Sequence, residues 1–296
     1  MDDLAAAVRE GKIILFVGAG VSMNLGLPSS WQALIDRIAE DLGYKPQDYK
    51  KLGEFYALAE YYRITKGDFG QLRSWMDEHW HPDDVRIESS AIHRLICSLD
   101  FPLIYTTNYD KWLERAFDHY GKRYVKISTM ADLLKVPCGK TQIVKFHGDI
   151  EDEDSMVLDE SSYFQRLEFE TPLDIKLRAD VLSRGVLFIG YGLSDVNLRF
   201  MFYKLSRIWQ NSRRAGDRPA SYIFSPQPNA VQEAIFGQWG IQMITAADGA
   251  DPAQALESFL QDLLRRRDGG GPDTQGGTRG GARGPAGAKP GPRQAG

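Results

Sequence analysis

The chain has 296 residues, 43% of them hydrophobic and 26% charged, with a formal net charge of -4. That is length for one large α/β domain or two small ones, and the composition is globular rather than disordered or fibrous. The acidic balance argues against broad electrostatic binding to nucleic acid, and two cysteines, Cys97 and Cys138, exclude a four-cysteine zinc site within the chain.

From the N-terminus, residues 2–10 read as a helix, with Asp2 or Asp3 as cap and Gly11 as stop. The acidic start lacks a signal peptide's apolar stretch, so a cytoplasmic protein is expected. No apolar run reaches membrane-spanning length. Residues 13–17 are wholly apolar and stop at Gly18-Ala19-Gly20, the pattern of a buried parallel strand ending in a tight turn. A helix follows at 30–42. Residues 47–98 then look helical throughout, with Trp75, Trp80 and several tyrosines, and read as an insertion after the first βα unit. Further strands are expected at 102–106, 123–127, 142–146, 186–190, 221–225 and 240–245. Helices are expected at 110–120, 174–184, 195–210, 229–237 and 252–266. Strands alternating with helices predict an α/β fold, a Rossmann-like parallel sheet covered on both faces. Residues 1–267 form the domain. Residues 268–296 hold 11 glycines and no large apolar side chain, the composition of a disordered tail. Its spaced Arg-Gly pairs could touch nucleic acid, to which they offer the chain's one route, or a partner, but a solvated tail is the better account of them.

Four strand ends carry the chemistry. Gly18-Ala19-Gly20, with Ser22 beyond, suits either a phosphate at a helix start or close packing of backbone. Thr106-Thr107-Asn108-Tyr109-Asp110 bunches polar groups where open α/β sheets bind ligands. There Asp110 serves as a helix cap or as a ligand contact. His147, followed by Gly148 and Asp149 after an apolar strand, is an acid/base candidate or a satisfied core histidine. Gly190-Tyr191-Gly192-Leu193-Ser194-Asp195 is a second glycine turn opening a helix, fit for a phosphate, a ribose or simple capping.

In order and spacing, these four motifs resemble the sirtuin-like NAD-consuming family, and more closely its bacterial branch without the zinc module. The match runs over most of residues 5–205. The resemblance implies NAD as substrate, no metal, and a pocket lined by Gly18, Ala19, Gly20 and Ser22. It implies Asn108 as the residue that positions the nicotinamide ribose and a water, Asp110 near the carboxamide, and His147 as the base. Gly190, Gly192 and Ser194 would contact phosphate and adenosine ribose. Two departures stand out. Ser29-Ser30-Trp31 follows Pro28 where deacylating sirtuins have Asp-Phe-Arg, and the two CxxC pairs are absent. The first implies an altered loop over the nicotinamide; the second, removing the zinc subdomain that partly builds the acyl-lysine cleft, argues against a conventional deacylase and leaves water as the simplest acceptor.

The resulting expectation is an NAD+ hydrolase acting in antiphage defence by NAD depletion. It would be controlled by homo-oligomerisation or by a separate ATPase or nucleotide-processing subunit. The rival readings are an NAD-dependent deacylase or ADP-ribosyltransferase, and a non-catalytic NAD or ADP-ribose sensor.

Overall fold

A computed structural model of the chain describes residues 1–27, 30–137, 139–191, 196–210 and 219–269. Seven strands are present: β1 (Ile13–Val17), β2 (Leu103–Thr106), β3 (Tyr124–Ile127), β4 (Thr141–Lys145), β5 (Gly185–Ile189), β6 (Ser221–Ser225) and β7 (Ile241–Thr245). Each falls within one residue of its expected start and end. The helices before β2 are α1 (Asp2–Arg9), α2 (Ala19–Met23), α3 (Trp31–Asp41), α4 (Pro46–Tyr49), α5 (Phe55–Lys66), α6 (Gly70–Trp80) and α7 (Ala91–Ser98). After β2 come α8 (Trp112–His119), α9 (Met130–Leu133), α10 (Glu160–Glu168), α11 (Pro172–Asp180), α12 (Val196–Gln210), α13 (Ala230–Gln238) and α14 (Pro252–Arg267).

All seven strands are parallel, in the order β3-β4-β2-β1-β5-β6-β7. The sheet is therefore Rossmann-like and doubly wound. β1 sits at its centre, and the chain leaves β1 toward β2 on one side and resumes beyond it with β5 on the other. That reversal makes the crevice outside the C-terminal ends of β1 and β5 the topological switch point.

Alternation along each strand feeds two cores. Ile13, Leu15 and Val17 face a layer built with α1, α7, α8 and α14. Ile14 and Phe16 face the other, with α11, α12 and α13. A third cluster unites α3, α5 and α6 around Ile35, Tyr62, Leu72 and Met76, and takes in Tyr109, Ile150, Met156 and Leu158. These last four belong to the segments that follow β2 and β4, so this helical group packs on the sheet's C-terminal edge. α7, by contrast, packs on α8 and α14 in the first layer.

Three helices were absent from the expected set. α2 follows the first glycine turn directly, and α9 is one turn closed by a Thr129–Asp132 capping box. α10 begins at Asp159, whose carboxylate accepts from Ser162 N–H (2.8 Å), and it buries only Tyr163, too thin an apolar stripe to read from periodicity. α11 starts at Pro172, two residues before the expected 174, because Thr171 and Asp174 form a capping box there. From residue 270 onward the tail lies outside the described residues.

Candidate active site

The first glycine turn meets the second. Gly18 N–H donates to Ile189 O and Gly20 N–H to Gly190 O, each at 2.9 Å. A Cβ on Gly18 would stand 2.5 Å from Gly190 O, and one on Gly20 2.9 Å from the same atom. Gly190 itself has φ of 72°, a backbone region that favours glycine. These three residues thus let the ends of β1 and β5 touch at the switch point. The Gly18 and Gly20 N–H groups are engaged by the last residue of β5 and by Gly190 just beyond it. Ala19 lies exposed at the start of α2.

Asn108 is buried and held from two directions. Thr106 Oγ1 donates to Val17 O (2.9 Å) and accepts from Asn108 N–H (3.0 Å). Asn108 Nδ2 donates to Gly18 O and to Ser22 Oγ, both at 3.2 Å. Both amide protons are therefore committed inward. Oδ1 takes no hydrogen bond among the described residues and is not among their sealed, unpartnered atoms. It remains an acceptor open to a ligand hydroxyl or a water. Ser22, expected to line a ribose, is buried and spends its hydroxyl on Asn108.

Asp110 is buried too, and its Oδ1 accepts from Trp112 N–H (3.1 Å), a local turn just before α8, whose N-cap is Lys111. Its main-chain carbonyl receives the Lys145 ammonium.

His147 rides on a rigid turn. Gly148 has φ of 96°, and a Cβ there would fall 2.1 Å from Ser155 O. His147 O accepts from Val157 N–H (2.8 Å). The half-buried ring lies 5.9 Å from Phe146 and edge-on to Tyr163 at 6.5 Å. Burial, and then the Arg166 charge, pull its pKa down to about 3, so the imidazole is neutral at cellular pH. Arg166 is fixed by Phe146 O (2.8 Å), by the Phe146 ring face (4.1 Å) and by Asp174 (3.2 Å).

A cavity of about 40 Å³ adjoins His147, lined by Thr107, Tyr163, Arg166, Tyr191 and Met201 among others. Tyr191 narrows it. Its hydroxyl donates to Val17 O (3.0 Å) and lies 3.1 Å from Thr107 Oγ1. A larger cavity, about 280 Å³, opens outside β3 and β4 and shares Phe146 and Arg166 with the first. Gly192 and Ser194 lie outside the described residues. Among the described residues no cluster of three or more His, Cys, Asp or Glu side chains is arranged to hold a metal, and no helix is long and apolar enough to cross a membrane.

Sequence reasoning missed the buried cations. Lys145 and Arg166 each look like an ordinary polar position in a strand or helix, and their partners Glu114 and Asp174 are set by the fold. One faint signal existed: Lys145 interrupts the apolar stretch 143–146 directly before His147.

Residues 102–244 match the SIR2-like domain. That segment is SIR2-like in sequence. Over 214 residues the chain is 26% identical to a protein named NAD(+) hydrolase ThsA from Bacillus cereus (strain MSX-D12), covering 72% of this chain and 44% of the relative. Over 270 residues it is 26% identical to Defense-associated sirtuin 2 of Bacillus subtilis, covering 89% of this chain and 25% of the relative. The chain thus spans less than half the length of either curated relative. A solved Sir2 homologue–NAD complex aligns with a TM-score of 0.49 and 13% identity, over 90% of this chain and 94% of that one.

Proposed function

We propose that this sirtuin-like chain cleaves NAD with water, giving nicotinamide and ADP-ribose, and serves bacterial antiphage defence by depleting NAD. The names of its relatives, an NAD(+) hydrolase and a defence-associated sirtuin, support the reading. The observation that carries it is the Asn108 amide, whose donors are turned inward and whose Oδ1 stays open past the end of β2, with a neutral His147 past the end of the neighbouring β4.

The chemistry follows from those two groups. Nicotinamide departs neutral from the ribose C1′, leaving oxocarbenium character on the sugar, as in glycoside cleavage. Asn108 Oδ1 accepts a hydrogen bond from the attacking water or a ribose hydroxyl and holds it in line. The water oxygen bonds to C1′ as the C1′–N bond breaks, and its proton passes to His147 Nε2 or Nδ1. General-base help contributes about 10²–10⁴-fold for a base whose pKa lies near the working pH, and less for an imidazole held near 3. The 40 Å³ cavity is far below the roughly 300–1,000 Å³ of ligand pockets, so NAD binding there calls for it to widen, and Tyr191, bonded to Val17 O, is one of the side chains that line it.

An uncontrolled NADase would kill its host, so the proposal includes control by assembly, as a homo-oligomer or with a separate defence subunit, in the cytoplasm where the NAD pool lies. The helical segment offers exposed apolar side chains for such contact: Leu52 (64%), Tyr61 (45%) and Ile64 (71%).

The test is direct. Purified chain is incubated with NAD, alone and with the products of neighbouring genes, and the products are identified by mass spectrometry. Nicotinamide and free ADP-ribose, both lost with Asn108→Ala and His147→Ala, are expected. NAD bound but intact under every condition, or transfer of ADP-ribose to protein in place of release, would overturn the reading.

A further inference from the structure

Four bonds stitch the segment carrying Asn108 to the segment carrying His147. Phe146 N–H donates to Thr106 O (2.7 Å), Ile150 N–H to Tyr109 O (3.2 Å) and Tyr109 OH to Val157 O (2.6 Å). The fourth is of another kind. Lys145 Nζ donates to the main-chain carbonyl of Asp110 and pairs with Glu114 Oε1 at 3.2 Å. The Lys145 side chain is 0% exposed and that of Glu114 8%.

A lysine sealed inside a sheet layer is costly, and a buried ion pair is often no more stable than well-packed apolar residues. Stability alone is therefore a weak reason for this pair. Its position suggests a better one. Thr106 anchors the start of the segment 106–110 through β2 pairing with β4, and Asn108 takes its N–H bond from the Thr106 side chain. The Asp110 carbonyl ends the same segment, where the chain turns into α8. An ammonium reaching up from β4 supplies the donor that holds this end. Glu114, one turn into α8, neutralises it.

We infer that Lys145, with Glu114 as counter-ion, is a positioning residue that fixes the Asn108 segment against the His147 segment. The inference rests on the catalytic reading of Asn108 and His147 for its kinetic arm, but not for its structural arm.

The experiment uses the full chain in three forms: Lys145→Met, Glu114→Leu and the double variant. Lys145→Met leaves a buried carboxylate without its partner, and Tm falls by on the order of 10 °C. In the double variant no charge is left unpaired, and Tm returns to near the parent value. The carbonyl of Asp110 still lacks its donor. Amide hydrogen exchange over residues 106–112 is therefore faster than in the parent for the double variant, while the protection of β1 and β5 is unchanged. The kcat for NAD remains down by about 10²-fold, the scale of an ångström's misplacement, with KM little altered.

If exchange at 106–112 in the double variant matches the parent, the positioning role is wrong whatever the substrate. If exchange rises and the parent cleaves NAD, but turnover recovers together with Tm, the pair is merely structural and the inference falls. If the parent does not cleave NAD at all, the proposed function fails while the exchange arm still decides the role of Lys145.

Discussion

Asn108 Nδ2 stands 3.2 Å from Ser22 Oγ, so a residue of the first glycine turn sets the orientation of an amide on the next strand's end. In the proposed mechanism Ser22 would act on the ligand through Asn108. Ser22→Ala removes one of two anchors and lets the amide rotate. NAD turnover is expected to fall about ten-fold, while stability changes by about 1 kcal/mol, one hydrogen bond. Asn108→Asp should be worse than Ser22→Ala, because a carboxylate would face Gly18 O with no proton to give. Steady-state kinetics beside urea unfolding checks both. Equal turnover in Ser22→Ala and parent would sink the orienting role.

Gly18 and Gly237 make an opposed pair. A Cβ on Gly18 would meet Gly190 O at 2.5 Å and Tyr191 Cγ at 2.8 Å, both on the facing turn. Gly18→Ala is expected to cost at least about 2 kcal/mol, since two backbones must part. Gly237 lies within α13, where a Cβ would meet nothing within 4 Å. Gly237→Ala should stabilise by about 0.5–1 kcal/mol through helix propensity. Denaturant midpoints of the two variants must move in opposite directions.

His93 gives the fold an acid limb. It is fully buried, its Nδ1 lies 2.7 Å from Ser90 Oγ, and burial pulls its pKa down to about 4. Unfolded, it titrates near 6.5. Between about pH 4 and 6.5 the unfolded chain therefore binds more protons than the folded one, and stability is lost as pH falls through that window. The full penalty is about 3 kcal/mol. His147 acts with the same sign, so His93→Gln should make the decline between pH 6.5 and 4 shallower without abolishing it. Unfolding free energies at a series of pH values would refute this if the two slopes coincide.

For His147 the expected signature is kinetic. Its neutral form prevails far below the ordinary imidazole range. kcat/KM for NAD should be flat between about pH 5.5 and 8, with no acid limb near 6.5. A break near 6.5, absent from the binding of an uncleavable NAD analogue, would mean that the ring is solvated in the working enzyme.

The sheet was legible because its central strands are largely apolar runs, unbroken in β1 and β5, that end close before Gly18, Asn108, His147 and Gly190. Those stops are also the strand ends that meet at the ligand edge, so position could be read along with element type. What each glycine does there could not. Gly18 and Gly20 look the same whether they face a phosphate or another backbone, and only the pairing of β1 with β5 reveals Gly190 opposite them. The same holds for Lys145. Its partners come from α8 and the Asp110 carbonyl, neither of which can be found without the register of β2 on β4. Tyr191 carried no role of its own in the second glycine turn, yet it lines the cavity beside His147.

The central place of β1 also bears on synthesis. Val17 and Tyr191 are bonded to each other across 174 residues of sequence. A chain emerging from the ribosome exposes β1 early, with an open edge that β5 fills only much later. Until then the crevice has one wall, and neither Gly190 nor Tyr191 is there to complete it. A nascent or prematurely ended chain therefore lacks the completed crevice on which the proposed NAD cleavage depends.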